Sequence, residues 1–296
     1  TLMAAEIAEQ PAALARLLVP GSLERVHEIV GIIRERNPRF VLLAARGTSD
    51  HAALYAKYLV EVSLGLPAGL ASPSTMTAYG ARPNLSDVLL LTVSQSGGSP
   101  DLVETVRTAR AGGATTLAVT NNPGSAIAAA SELHLDVLAG PERAVAATKS
   151  YSSQLLALWL LIDAYRGGDM SAAKGIPEAA QSLVERGEEV AALAARFRFT
   201  DRLVTTGRGY SYPTAREAAL KLMETSYVAA NAFSGADLLH GPLAMIDHDH
   251  PVIAVVPDGR GAEAMAPVLE RLADRGADVT VFGGARSVGL GTVGYD

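Results

Sequence analysis

The sequence predicts an α/β protein made of two copies of a doubly wound parallel sheet, each flanked by helices. Two observations predict it. The first is an internal repeat: Arg46-Gly47-x-Ser49 returns as Arg208-Gly209-x-Ser211 after similar apolar lead-ins, an offset of 162 residues. The second is alternation, in which short continuous apolar runs, the form of parallel strands buried on both faces, are separated by stretches with helical periodicity. Strands and helices that alternate in this way form a parallel sheet with right-handed crossovers.

Each element follows in order. A first strand lies within Arg39–Ser49. A second runs from Val88 to Val93, and the Ser94–Asp101 loop then leads to a helix over Pro100–Ala111, where proline suits the first turn. Gly112-Gly113 closes that helix, and Thr116–Val119 is the next strand. Thr148–Arg166 and Pro177–Phe197 read as two helices joined by the turn Gly167-Gly168-Asp169. The second copy begins with a strand in Asp201–Ser211 and continues through an apolar helical segment over Thr214–Ala230. It then has a strand at Val252–Val256, a helix over Ala262–Arg275 and a strand at Val279–Phe282. This organisation places a first domain at 1–165, a helical connector at 166–200 and a second domain at 201–296.

Composition narrows the function. The 296 residues carry 31 acidic and 25 basic side chains, a net charge of −6, and no cysteine, so disulfides, thiolate metal sites and cysteine nucleophiles are excluded. The longest strongly apolar run, Leu155–Ile162, is far short of the roughly 20 residues that cross a bilayer. Scattered charge and 5% aromatic content supply neither a basic groove nor a stacking platform, so nucleic acid is not an expected partner. A soluble, cytoplasmic protein is expected. The chain opens on Thr1-Leu2, which points to trimmed termini.

In doubly wound sheets ligands sit at the carboxyl ends of strands, and the unusual loops fall there. Ser94-Gln95-Ser96-Gly97-Gly98-Ser99 offers hydroxyls, backbone N–H groups and two glycines at a helix N-terminus, a setting that favours an anion. The same composition also describes an ordinary Ser/Gly turn with a helix cap. No P-loop is present, and Gly207-Arg208-Gly209 lacks the third glycine of a dinucleotide fingerprint, so a small phosphorylated metabolite fits better than a nucleotide. Gly47, Thr48 and Ser49 would add to the same crevice.

Glu217, Lys221 and Glu224 recur at i, i+4 and i+7 and form one charged stripe on an otherwise apolar helix. The stripe is either a solvated salt-bridge face or a proton-transfer pair. His240, before the turn-forming Gly241-Pro242, is an acid/base near neutral pH or a loop cap. Asp247-His248-Asp249-His250 reads as a solvated turn, because neighbours on an extended segment point to opposite faces, and no metal is expected.

With these residues in view, the chain resembles the sugar isomerase (SIS) family, in particular tandem-SIS proteins related to the isomerase half of glucosamine-6-phosphate synthase. The resemblance runs from Met3–Pro11 to about Phe282 and rests on Arg46–Ser49, Ser94–Gly97, Val145–Lys149, Glu217–Glu224 and Leu239–Pro242. It implies that Ser94, Gln95, Ser96 and Ser99 hold a sugar phosphate, and that Thr48 and the segment from Val145 to Ala147 contact the sugar. It further implies that Glu224 shuttles a proton between C1 and C2, that Lys221 supports the developing charge, and that His240 assists ring opening from a neighbouring subunit of a homodimer. No cofactor is implied.

Two departures from the synthase shape the expectation. No glutaminase segment or cysteine accompanies these motifs, so use of glutamine is not expected. Lys221 is the last lysine, so the expectation is that a C-terminal tail with a sugar-contacting lysine is missing or that the site works without it. The spellings Arg46–His51, Ser94–Asp101 and Val145–Ser150 look most like SIS-type glucosamine-6-phosphate deaminases. The expected reaction is conversion of glucosamine 6-phosphate to fructose 6-phosphate and ammonia. A fructosamine-6-phosphate deglycase, another phosphosugar isomerase and a non-catalytic phosphosugar sensor are the alternatives.

Overall fold

A computed structural model describes residues 1–284. The expected second domain reached 296, and its last stretch, 285–296, lies outside the described residues. The chain divides into two compact units, one spanning Thr1–Gln181 and the other starting at Ser182.

The first unit holds five parallel strands: β1 (Phe40–Ala44), β2 (Ala68–Leu70), β3 (Val88–Ser94), β4 (Thr115–Thr120) and β5 (Leu133–Asp136). Their order is β2-β1-β3-β4-β5, so the chain reverses its direction of winding between β1 and β3. Apolar side chains alternate between the two faces of this sheet, as the strand period of two requires. Leu89, Leu91 and Val93 join a core with helices Pro20–Arg36, Thr48–Leu59 and Lys149–Arg166. Leu90 and Ala118 instead meet helix Pro100–Ala111 and Ile127. Both faces are therefore covered, which explains why β3 is apolar on both faces from Val88 to Leu91, with a buried Thr92 before Val93.

The second unit holds β6 (Arg202–Gly207), β7 (Ala229–Ser234), β8 (Pro251–Val255) and β9 (Asp278–Phe282), parallel in the order β7-β6-β8-β9. Val204, Val252 and Ala254 pack on helix Arg260–Asp274, while Leu203 and Ala230 pack with Ala219 of helix Tyr212–Ser226. In each unit the first strand lies between the next two. The switch points therefore fall beyond the ends of β1 and β3 and of β6 and β8.

Several elements differ from expectation. The helix read over Thr214–Ala230 stops at Ser226, because Tyr227 turns left-handed at φ 57° and stands 91% exposed; β7 then begins at Ala229. The second connector helix is broken into Ile176–Val184, Gly187–Ala194 and a short 3₁₀ turn over Ala195–Phe197. Arg186 leaves the helical region at φ −90°, ψ 20°, beside a glycine that costs helix stability.

Candidate active site

The loop after β3 is held in shape by its own hydroxyls. Ser94 Oγ accepts from the Gly97 N–H at 3.1 Å, and Ser96 Oγ accepts from the Gly98 N–H at 3.3 Å. Gly97 sits at φ +64°, a region that L side chains rarely adopt. Its carbonyl accepts from Ile127 N–H at 3.0 Å, and that of Gln95 accepts from Asn121 N–H at 3.1 Å, so the loop is sewn to the end of β4. Ser99 precedes helix Pro100–Ala111 with its side chain uncommitted as a cap. The first-turn N–H groups of that helix and three serine hydroxyls are thus gathered where an anion is favoured.

The loop after β1 emerges beside it, since Ala44 pairs with Thr92 in parallel register. Gly47, at φ +57°, precedes helix Thr48–Leu59. Arg46 forms an ion pair with Asp101 of the neighbouring helix, and Asp101 also accepts from Thr77 Oγ1 at 2.8 Å. Ser49 is buried and its Oγ accepts from Gln154 Nε2 at 3.0 Å. Gly47, Thr48, Ser49, Ser94, Gln95, Ser96 and Ser99 therefore share one end of the first sheet, at its switch point.

Val145 and Ala147 belong to a third loop at this end. Asn121, just past β4, bonds Ala139 N–H at 2.9 Å and Gly140 O at 2.7 Å, which brings the loop in. Glu142 accepts from Thr148 N–H at 2.8 Å and Ser150 N–H at 3.2 Å, as well as from the Ser150 hydroxyl, and so places a carboxylate at the N-terminus of helix Lys149–Arg166. Lys149 is 1% exposed and pairs with Glu9. Val145 is 96% exposed. Glu6, Glu9 and Gln154 carry no signal in the sequence, because their partners lie more than a hundred residues away, and Glu142 bonds a loop whose path no local pattern reveals.

In the second unit, β6 runs into helix Tyr212–Ser226, which carries the charged stripe. Lys221 Nζ lies 3.3 Å from Glu217 Oε1 and 2.5 Å from Glu224 Oε2. The environments of the two carboxylates differ: the Glu217 side chain is 7% exposed and that of Glu224 is 32% exposed. The expectation of a helix buried nearly all round thus holds only for its first half, and the end bearing Glu224 opens to solvent. A lysine ammonium between a sheltered and an accessible carboxylate offsets the negative charge of both, and the accessible one faces solvent. His240 caps helix Gly235–Leu239 with its N–H on Asp237 O at 3.0 Å, and its exposed imidazole makes no hydrogen bond or ion pair among the described residues.

Among the described residues no group of His, Asp and Glu is arranged to hold a metal, and no helix is long and apolar enough to cross a membrane. Asp247, His248 and Asp249 are exposed, as a solvated turn requires, but His250 is buried. Burial, and then the nearby Arg202 cation, push the His250 imidazole below its ordinary pKa, partly offset by Asp247.

Comparison with known proteins identifies the family of the chain. The profile of the family described as SIS domain matches residues 35–164 and 197–285. The chain is 36% identical over 300 residues to glutamine–fructose-6-phosphate aminotransferase [isomerizing] of Acidithiobacillus ferridurans, covering 95% of this chain and 48% of that protein. It therefore spans about half the length of the curated relatives it matches. Among solved structures, a provisionally assigned phosphosugar isomerase of Silicibacter pomeroyi DSS-3 superposes with a TM-score of 0.88 at 36% identity, covering 100% of this chain and 89% of the other. The C-terminal domain of glucosamine-fructose-6-phosphate aminotransferase from Francisella tularensis gives 0.87 at 26% identity, covering 100% and 90%. With two matched segments and relatives similar along almost its whole length, the chain belongs to the SIS domain family.

Proposed function

We propose that the protein is a phosphosugar aldose–ketose isomerase that acts on an amino sugar, converting glucosamine 6-phosphate and water to fructose 6-phosphate and ammonia. The observation that carries this reading is the Glu217–Lys221–Glu224 triplet, a proton-transfer group on a chain whose other unit presents a hydroxyl-rich loop at a helix N-terminus. Ser94, Gln95, Ser96 and Ser99 would bind the phosphate. Gly47, Thr48, Ser49, Val145 and Ala147 would contact the sugar.

The steps then follow from ordinary acid–base chemistry. His240, supplied by a second copy in a homodimer, would move the proton that opens the ring to the free C1 aldehyde. Glu224 would take the proton from C2 and deliver it to C1, while Lys221 stabilises the charge that develops at oxygen. A proton passes from the amine nitrogen to O1 as well, so the product carries a C1 hydroxymethyl group and an imine at C2. Water adds to it and ammonia leaves, giving the C2 ketone of fructose 6-phosphate without oxidation or reduction. A carboxylate serving two adjacent carbons needs to be accessible, and Glu224 is the more exposed of the two.

The test is a substrate panel of glucosamine 6-phosphate and fructosamine 6-phosphate, with ammonia and fructose 6-phosphate quantified. Equimolar ammonia and fructose 6-phosphate from the first substrate supports the proposal. Turnover of the second alone would make the protein a deglycase, and tight binding of either without turnover would make it a sensor.

A further inference from the structure

Glu6 is a buried acid in helix Leu2–Ala8, 5% exposed, with no part in the chemistry above. Its carboxylate is spent on main chain far along the sequence. Oε1 accepts from Arg143 N–H, and Ala144 N–H lies 3.3 Å from Oε1 and 3.2 Å from Oε2. Burying a carboxylate is costly unless hydrogen bonds compensate it, and backbone donors fix the direction of a loop whatever its side chains are. The two residues so held immediately precede Val145.

The far side of the same loop is held by the same N-terminal segment, through Glu9 on the fully buried Lys149, and by Glu142 on the N–H groups of Thr148 and Ser150. Between these fixed points Val145 is 96% exposed, although residues 141–148 carry neither helix nor strand. An apolar side chain held in water by a clamped main chain is arranged for contact with something other than the core. The rigidity has a chemical cause in Glu6.

We infer that Glu6 is a positioning residue, which sets the Val145–Ala147 strip for sugar contact through the Arg143 and Ala144 N–H groups. The inference rests on the phosphosugar reading above. It assigns to the N-terminal helix a part in recognising the sugar but none in recognising the phosphate, whose loop follows β3 and shares no hydrogen bond with Glu6 among the described residues.

The experiment uses the full chain as wild type, Glu6→Gln and Glu6→Ala, titrated with glucosamine 6-phosphate and separately with inorganic phosphate, together with amide hydrogen exchange over residues 143–147. Glu6→Ala should weaken glucosamine 6-phosphate by about tenfold, the effect of losing a charge-assisted hydrogen bond, and speed exchange at Arg143 and Ala144. Inorganic phosphate affinity should stay unchanged. Glu6→Gln keeps one acceptor oxygen and should fall between, and it carries the test if the alanine variant does not fold. Wild-type affinity for glucosamine 6-phosphate in the glutamine variant despite faster exchange would overturn the inference, as would parallel loss of both ligands. Failure of the wild type to bind either ligand would overturn the phosphosugar reading, and this inference with it.

Discussion

Gly97 and Ser125 are in a contact that only glycine permits: a Cβ on Gly97 would lie 2.1 Å from Ser125 Oγ and 2.4 Å from its Cβ. Ser125 cannot readily yield, because its Oγ accepts from Ala128 N–H at 3.3 Å as the cap of helix Ala126–Ala130. Gly97→Ala must therefore displace the loop after β3, in addition to the strain of a side chain at φ +64°. The expected outcome is loss of inorganic phosphate affinity by roughly tenfold or more, with stability lowered by about 1–3 kcal/mol. Calorimetric titration with phosphate reads the first, and unchanged affinity would separate this loop from anion binding.

The lysine of the triplet has a structural consequence as well as a chemical one. Glu217 is 5% exposed with Lys221 3.3 Å away, so Lys221→Met removes a cation from a buried carboxylate. Chemical denaturation should show a loss of roughly 1.5–3 kcal/mol. Adding Glu217→Gln removes the negative charge that the Lys221 cation offset, so the double variant should recover a good part of that loss. Additive losses in the double variant would show that the pair is not coupled.

Acid should weaken the second unit through His250. Its pKa is lowered in the folded state, chiefly by burial, and its Nε2 has no hydrogen-bond partner among the described residues. The folded state thus disfavours the proton. The contribution is complete above the ordinary histidine value of about 6.5 and is lost as pH falls from there through the lowered folded value. His134 shifts the same way, mainly by burial. Denaturation midpoints measured from pH 7.5 down to 5.5 should fall in the wild type and fall less steeply in His250→Phe. An identical slope would remove His250 from the acid response.

Much of this arrangement is legible in the sequence because its signals are local. Val88–Val93 reads as a strand since both faces are buried, and helix Pro100–Ala111 is delimited by a proline at its start and Gly112-Gly113 at its end. The hydroxyls of Ser94, Ser96 and Ser99 lie within one loop. What escapes is nonlocal or short. β2 has three residues, and β5 alternates Leu133 and Leu135 inward over only four. β7, Ala-Ala-Asn-Ala-Phe-Ser, carries little strand propensity and forms because β6 pairs along its whole length. The buried halves of Glu6 and Lys149 are invisible for the same reason, since each is explained by a partner more than a hundred residues away. The stripe at Glu217, Lys221 and Glu224 is visible as spacing, but that Glu217 is sheltered while Glu224 faces water depends on tertiary packing, which spacing does not show.

In the proposed reaction Glu224 moves the proton between adjacent carbons of a bound amino-sugar phosphate. It is tested most directly by comparing wild type with Glu224→Gln on glucosamine 6-phosphate, following ammonia release and, in parallel, ligand affinity. The variant should bind as the wild type does while turnover falls by about 10² to 10⁴, the usual contribution of a general base. Equal rates of ammonia release from the two proteins would contradict it.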